Sequence, residues 1–193
     1  SMATDPALAP TSENVLRCLD EVARQARPGD SVVFFFAGHG VAIGGETCLL
    51  TADSDNLSAG SLLASSLRGT ALIGRLEACQ ASRTLLLIDA CRQDPTGQNV
   101  LTSQFSRNLV LSGDYGLADK SAATFFSCSL GQRSYELEGK EHGLFTYYLL
   151  EGLRPTGQRV TLSSLVSFVR QEVKRQSGDE QAPMLRYEGP GPE

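Results

Sequence analysis

The sequence predicts an α/β fold, a three-layer arrangement with helices on both faces of a mostly parallel central sheet. Three observations lead there. Ser31–Ala37, Thr84–Asp89 and Ala122–Cys128 are short, nearly continuous apolar runs, the pattern of strands buried on both faces of a parallel sheet. Segments with apolar residues at helical spacing separate and follow them, so strands alternate with helices. The chain has 193 residues, which is one domain's worth and enough to bury a core without disulfide or metal staples.

The elements follow in order. Residues 1–11, Pro- and Ala-rich, read as a disordered lead-in, and Ser1 before Met2 suggests a cloning remnant. From Ser12 a helix is expected, with Val15, Leu16, Leu19, Val22, Ala23 and Ala26 along one stripe. Pro28-Gly29-Asp30 ends it and turns the chain into the first strand. A loop follows Gly40, then a short strand over Thr47–Thr51 and a polar, acidic loop to about Gly60. A helix over Leu67–Cys79 leads into the Thr84–Asp89 strand. Residues 92–120 show weak periodicity, and a loop of that length inside a compact domain is usually functional or cleavable. After the third strand, helices are expected over Leu144–Leu153 and Leu162–Gln176, then an edge strand near Pro183–Tyr187, where proline is tolerated.

Composition excludes several function classes. A net charge of −5 argues against nucleic acid or an anionic membrane as the main partner. No apolar stretch is long enough to span a bilayer, and the N-terminus lacks a basic region followed by an apolar core. The five cysteines (Cys18, Cys48, Cys79, Cys91 and Cys128) are odd in number and include no Cys-x-x-Cys pair, which favours reduced thiols and a cytoplasmic setting. With two histidines and no clustered ligands, no metal site is expected. The first strand lacks a glycine-rich phosphate loop, which argues against a flavodoxin- or nucleotide-type domain.

Chemistry concentrates at two strand ends, Phe34-Phe35-Phe36-Ala37-Gly38-His39-Gly40 and Leu85-Leu86-Leu87-Ile88-Asp89-Ala90-Cys91. Ligands of open α/β sheets bind beyond such carboxyl ends. Neighbouring strands would bring His39 and Cys91 together, as a cysteine nucleophile requires. Alone, a histidine between glycines serves structure about as readily as catalysis, and a lone cysteine after a strand is more often an inert buried thiol.

The element Asp89-Ala90-Cys91-Arg92-Gln93, with a histidine about fifty residues upstream, resembles the caspase-like cysteine peptidases, the superfamily of caspases, metacaspases and paracaspases. Asp89 stands where caspases carry glutamine, which points to the metacaspase-like or bacterial branch. Gly45–Asp53, His142-Gly143-Leu144-Phe145-Thr146 and Gln181-Ala182-Pro183 resemble further family segments, so the likeness runs over residues 12–187. It implies a large-subunit-like part to about residue 91, a linker over about 92–121, a small-subunit-like part over 122–187 and a tail from 188. It also implies a strand, a helix and a second strand before Ser12 that this chain lacks, leaving Phe34–Phe36 on an exposed edge. An N-terminal fragment or a partner chain completing the sheet is therefore expected.

The resemblance implies a cysteine endopeptidase acting on protein or peptide substrates through a Cys91–His39 dyad. The backbone N–H groups of Gly40 and Cys91 are oxyanion-hole candidates. Asp89 shares a strand face with Cys91 and would receive an Arg or Lys before the scissile bond. The competing reading of Asp89 is a turn cap or a partner for Arg92. Ser127, Cys128 and Ser129 would continue the substrate groove, with Ser129 as the substrate-binding candidate and Cys128 as packing. Arg107 and Lys120 are candidate self-cleavage positions. No cofactor is required by this chemistry; some relatives need calcium, for which Asp53 and Asp55 are candidates, though two acids in a loop more often form solvated turns. Glu136, Glu138 and Glu141 would rim the basic pocket or sit exposed. The alternative is a catalytically silent caspase-like module acting in assembly or regulation.

Overall fold

The computed structural model describes residues 8–44, 46–90, 121–129, 132, 134–135, 142–155, 157 and 159–188. Its main sheet has four strands in the order β1 (Ser31–Gly38), β5 (Arg83–Ala90), β6 (Ser121–Phe126), β7 (Met184–Glu188). The first three are parallel and β7 runs antiparallel to β6. The carboxyl ends of β1, β5 and β6 therefore open onto one rim, where the chain also enters β7.

Side-chain alternation along β5 divides the core. Leu86, Ile88 and Ala90 face α1 (Ser12–Gln25) and α3 (Gly69–Ala78), together with Val32, Phe34 and Phe36 of β1. Leu85 and Leu87 face the opposite layer, formed by α4 (Leu144–Gly152) and α5 (Leu162–Gln176). This is the predicted α/β architecture: a mixed, mostly parallel sheet between two helical layers. Leu72, Leu86, Ile88, Phe125, Phe126 and Phe145 have essentially no exposed surface, each contributing about 1.5–3 kcal/mol of hydrophobic stabilisation.

Local chemistry sets the helix ends. Thr11 caps α1 by accepting from the Asn14 N–H at 3.2 Å, and Arg27 N–H donates to the Asp30 carboxylate in the turn that follows. Gly29 occupies the left-handed region there, at φ +97°. α5 starts with a capping box between Thr161 and Ser164. α3 has no cap from its own neighbour Arg68; Glu46 reaches across instead, accepting from the Thr70 N–H and hydroxyl at 3.0 and 2.7 Å.

Several expectations need correction. The loop after Gly40 is a second, antiparallel sheet of β2 (Gly40–Ile43), β3 (Glu46–Leu49) and β4 (Leu67–Arg68), so the Thr47–Thr51 strand is shifted and the Leu67 helix begins two residues later. The acidic loop ends in α2 (Ala59–Ser65), held by a Ser58–Ser61 capping box that interrupts the serine-rich run. β1 is not buried on both faces. Val33 and Phe35 are 59% and 47% exposed, because no residue of β1 joins the core under α4 and α5. Among the described residues nothing pairs with its outer edge, and an apolar groove of about 530 Å³ lies between α1 and β1.

Candidate active site

His39 sits at the break between β1 and β2 and is exposed, with Gly40 buried beside it. The β1–β5 register ends with Gly38 opposite Ala90, so the next residues in the two chains are His39 and Cys91. Cys91 itself lies outside the described residues, as do Arg92, Arg107, Lys120, Glu136, Glu138 and Glu141. Leu50 N–H donates to the His39 carbonyl at 2.8 Å, which makes Gly40–Leu49 a non-hydrogen-bonded pair of the β2–β3 ladder. The Gly40 N–H is thus turned away from β3.

Asp89, the penultimate residue of β5, is buried at 7% exposure. Its side chain has the parity of Leu85 and Leu87 and points toward α4. Ser134 Oγ donates to Asp89 Oδ1 at 2.6 Å. Thr146 donates to Oδ2 twice, from Oγ1 at 2.5 Å and from its N–H at 3.3 Å. Since the α4 N-cap Gly143 offers no side chain, Asp89 caps that helix from a neighbouring strand and complements its dipole. No ion pair to Asp89 forms among the described residues.

Behind Ser134 lies Gln181, which is fully buried. Its Nε2 donates to the Ser127 carbonyl at 2.8 Å and to Ser134 Oγ at 3.4 Å, and its Oε1 accepts from the Tyr135 N–H at 2.9 Å. Tyr135 in turn accepts at its carbonyl from Leu144 N–H, at 2.8 Å, and its hydroxyl bonds Glu180. Ser129 has its hydroxyl committed to the Ala182 carbonyl at 2.9 Å. Cys128 is buried and free of disulfide, as expected of a packing residue.

The sequence brought forward Asp89 but not its holders. Ser134, Gly143, Thr146 and Gln181 form the wall around it. Thr146 and Gln181 fell within quoted family segments without a role attached, and their separations of 57 residues (Thr146 to Asp89) and 54 residues (Gln181 to Ser127) leave no spacing signal. Ser134 carried no signal at all.

Asp53 and Asp55, the calcium candidates, each accept a backbone hydrogen bond. Asp53 accepts from the Ser12 N–H at the start of α1; burial pushes its carboxyl up, but hydrogen bonds from Thr51, Ser12 and its own backbone outweigh that and hold it below the ordinary value. Asp55 accepts from Leu57 N–H in a local turn. Among the described residues no three His, Cys, Asp or Glu side chains cluster as a metal would need.

The model of the caspase domain matches residues 3–189. The chain belongs to the caspase-domain family. Its function is accordingly of the cysteine-peptidase type. A crystal structure of a protein from Geobacter sulfurreducens is similar, with a TM-score of 0.65 at 17% identity, covering 94% of this chain and 75% of the other; at that identity the likeness speaks for the fold alone. No curated protein sequence matches the chain significantly. Among the described residues no helix of this caspase domain is long and apolar enough to cross a membrane.

Proposed function

We propose that this caspase domain is a cysteine endopeptidase that cuts protein substrates after Arg or Lys, using Cys91 as nucleophile and His39 as its proton partner. Asp89 carries the reading. Its carboxylate is buried at the carboxyl end of β5 and, among the described residues, accepts hydrogen bonds from neutral donors alone and meets no cation. The three hydrogen bonds and the α4 dipole offset part of the cost of burying this carboxylate, and a guanidinium or ammonium group brought by substrate would offset more of it.

In the proposed reaction the Cys91 thiolate attacks the scissile carbonyl. Negative charge on the carbonyl oxygen is met by the N–H groups of Gly40 and Cys91; the outward turn of the Gly40 N–H supports this role. Protonated His39 gives its proton to the leaving amine as the C–N bond breaks, leaving a thioester on Cys91. Water then attacks the thioester, with His39 taking its proton, and the free acid departs. The register supports the grouping: β1 and β5 end side by side, with Ala37 opposite Asp89 and Gly38 opposite Ala90, and His39 follows directly.

Ser129 would contribute to the groove through its backbone, its hydroxyl being engaged. Self-processing at Arg107 or Lys120 follows if the same pocket accepts the chain's own 92–121 segment. The open edge and bare face of β1, with Val33 and Phe35 exposed, support completion of the sheet by an N-terminal fragment or a partner chain. The four described cysteines stand outside disulfides, which suits a reducing, cytoplasmic setting.

A positional-scanning peptide library on wild type, Cys91→Ala and Asp89→Ala tests the proposal. Wild type should select Arg and Lys before the cut, Cys91→Ala should be inactive, and Asp89→Ala should lose the basic preference. A strict basic preference that survives Asp89→Ala sinks the pocket assignment. No cleavage of any peptide, with Cys91 unlabelled by a thiol-directed probe, favours a silent assembly module.

A further inference from the structure

We infer that Thr146 closes one oxygen of the Asp89 carboxylate to substrate, so that the pocket grips a basic side chain by a single contact at the other oxygen and accepts arginine and lysine nearly alike. The inference rests on the basic-residue specificity proposed above and adds how that specificity is limited.

A carboxylate offers about four lone-pair positions, two on each oxygen. On Asp89, Oδ2 uses both of its positions on Thr146, receiving the hydroxyl at 2.5 Å and the backbone N–H at 3.3 Å. Gly143 backs onto the same oxygen. A Cβ at Gly143 would stand 3.1 Å from Oδ2 and 3.8 Å from the carboxyl carbon, so backbone rather than open space adjoins it. Oδ1 holds one donor among the described residues, Ser134 Oγ at 2.6 Å, and these residues leave it one position for a ligand.

Arginine outcompetes lysine where its planar fork meets both oxygens of a carboxylate at once. With Oδ2 filled, that fork finds one acceptor. The guanidinium then contributes one charge-assisted hydrogen bond, as an ammonium does, and its geometric advantage is lost. Thr146 is therefore a positioning residue that sets the Arg-to-Lys ratio. Ser134, steadied by Gln181 through the 3.4 Å contact to its hydroxyl, fixes the direction in which Oδ1 meets the substrate.

The test is kcat/KM for paired peptides that differ only in Arg or Lys before the scissile bond, measured on the wild-type chain, Thr146→Ala and Thr146→Ser. Wild type should favour Arg by less than about fivefold, since no second charged hydrogen bond distinguishes the two. Thr146→Ala removes the hydroxyl and the methyl together, so both space and a lone-pair position open on Oδ2, and the ratio should rise by about tenfold or more, the worth of one added charged hydrogen bond. Thr146→Ser keeps the hydroxyl and should keep the wild-type ratio. A mere packing defect lowers both substrates together and leaves the ratio unmoved. A wild-type ratio above about a hundredfold overturns the inference whether or not Thr146→Ala folds, because it exceeds what a single shared contact allows. A folded Thr146→Ala with an unchanged ratio also overturns it. If neither basic peptide is preferred over an uncharged one, the specificity reading fails first and this inference falls with it.

Discussion

Replacing Gln181 by Ala should destabilise this caspase domain severely, although the residue is polar and touches no substrate in the proposed reaction. Its side chain is fully buried and makes three hydrogen bonds, to the Ser127 carbonyl, the Tyr135 N–H and Ser134 Oγ. Truncation strands the Ser127 carbonyl, whose residue is also fully buried; an unsatisfied buried group costs about 1–3 kcal/mol. Tyr135 is partly exposed, so its N–H recovers water and adds less, about 0.5–1 kcal/mol. The void left by the side chain adds about 1 kcal/mol. Together these cost about 2.5–5 kcal/mol, which at about 2–4 °C per kcal/mol lowers Tm by about 5–20 °C. The chain has no tryptophan, so urea and thermal melts are best followed by far-ultraviolet circular dichroism. Gln181→Glu separates hydrogen bonding from volume. It fills the same space and keeps the acceptor for Tyr135, but it sets a carboxylate oxygen against the Ser127 carbonyl. Glu should therefore cost at least about 2 kcal/mol. A near-neutral Glu variant, or an Ala variant within about 1 kcal/mol of wild type, refutes the hydrogen-bond argument.

Three further outcomes are expected. A Cβ at Gly152 would approach Leu165 Cδ1 to 2.7 Å and Phe168 Cδ1 to 2.9 Å, so Gly152→Ala should lose about 1 kcal/mol in urea unfolding, overpacking outweighing the gain in helix propensity; a stabilised variant would mean the α4–α5 crossing has slack. Asp53 titrates below its ordinary 3.8 in the folded chain, so its hydrogen bonds stabilise above that pH and are lost as pH falls through the depressed value; the stability difference between wild type and Asp53→Asn, followed by acid titration, should shrink below pH 3.8. In native alkylation read by mass spectrometry, exposed Cys18 should react, whereas Cys48, Cys79 and Cys128 should label only after unfolding; burial pushes the Cys48 thiol up and keeps it protonated, and labelling of Cys48 in the native chain would contradict its packing.

What the sequence made legible tracks how local the cause was. β5 and β6 are apolar on both faces because helices cover both, and their ends could be read to within a residue or two. The α5 bounds were legible because Thr161 caps from the adjacent position. α3 was misjudged at its start because its cap, Glu46, lies 24 residues upstream. β1 looked like a buried strand because its apolar run is unbroken. Only the tertiary arrangement, with α4 and α5 lying over β5 to β7 alone, reveals that one of its faces is bare. At the candidate site, His39 and Asp89 announced themselves as polar residues ending apolar runs. The donors that hold Asp89 are ordinary hydroxyls and an amide whose partners lie more than forty positions away, and no periodicity encodes such a pairing.

Asp89 belongs to the stretch ending at Ala90, while both side chains bonded to it, Ser134 and Thr146, lie beyond Ser121. Two polypeptides, one ending after residue 91 and one starting near 121, would between them carry the carboxylate, its three described hydrogen bonds and every strand of the β5–β6–β7 ladder. Neither alone has both. Scission of the intervening chain would therefore remove none of the described bonds to Asp89, and the domain is a natural candidate for split-protein complementation, in which restored folding reports that the two halves have met.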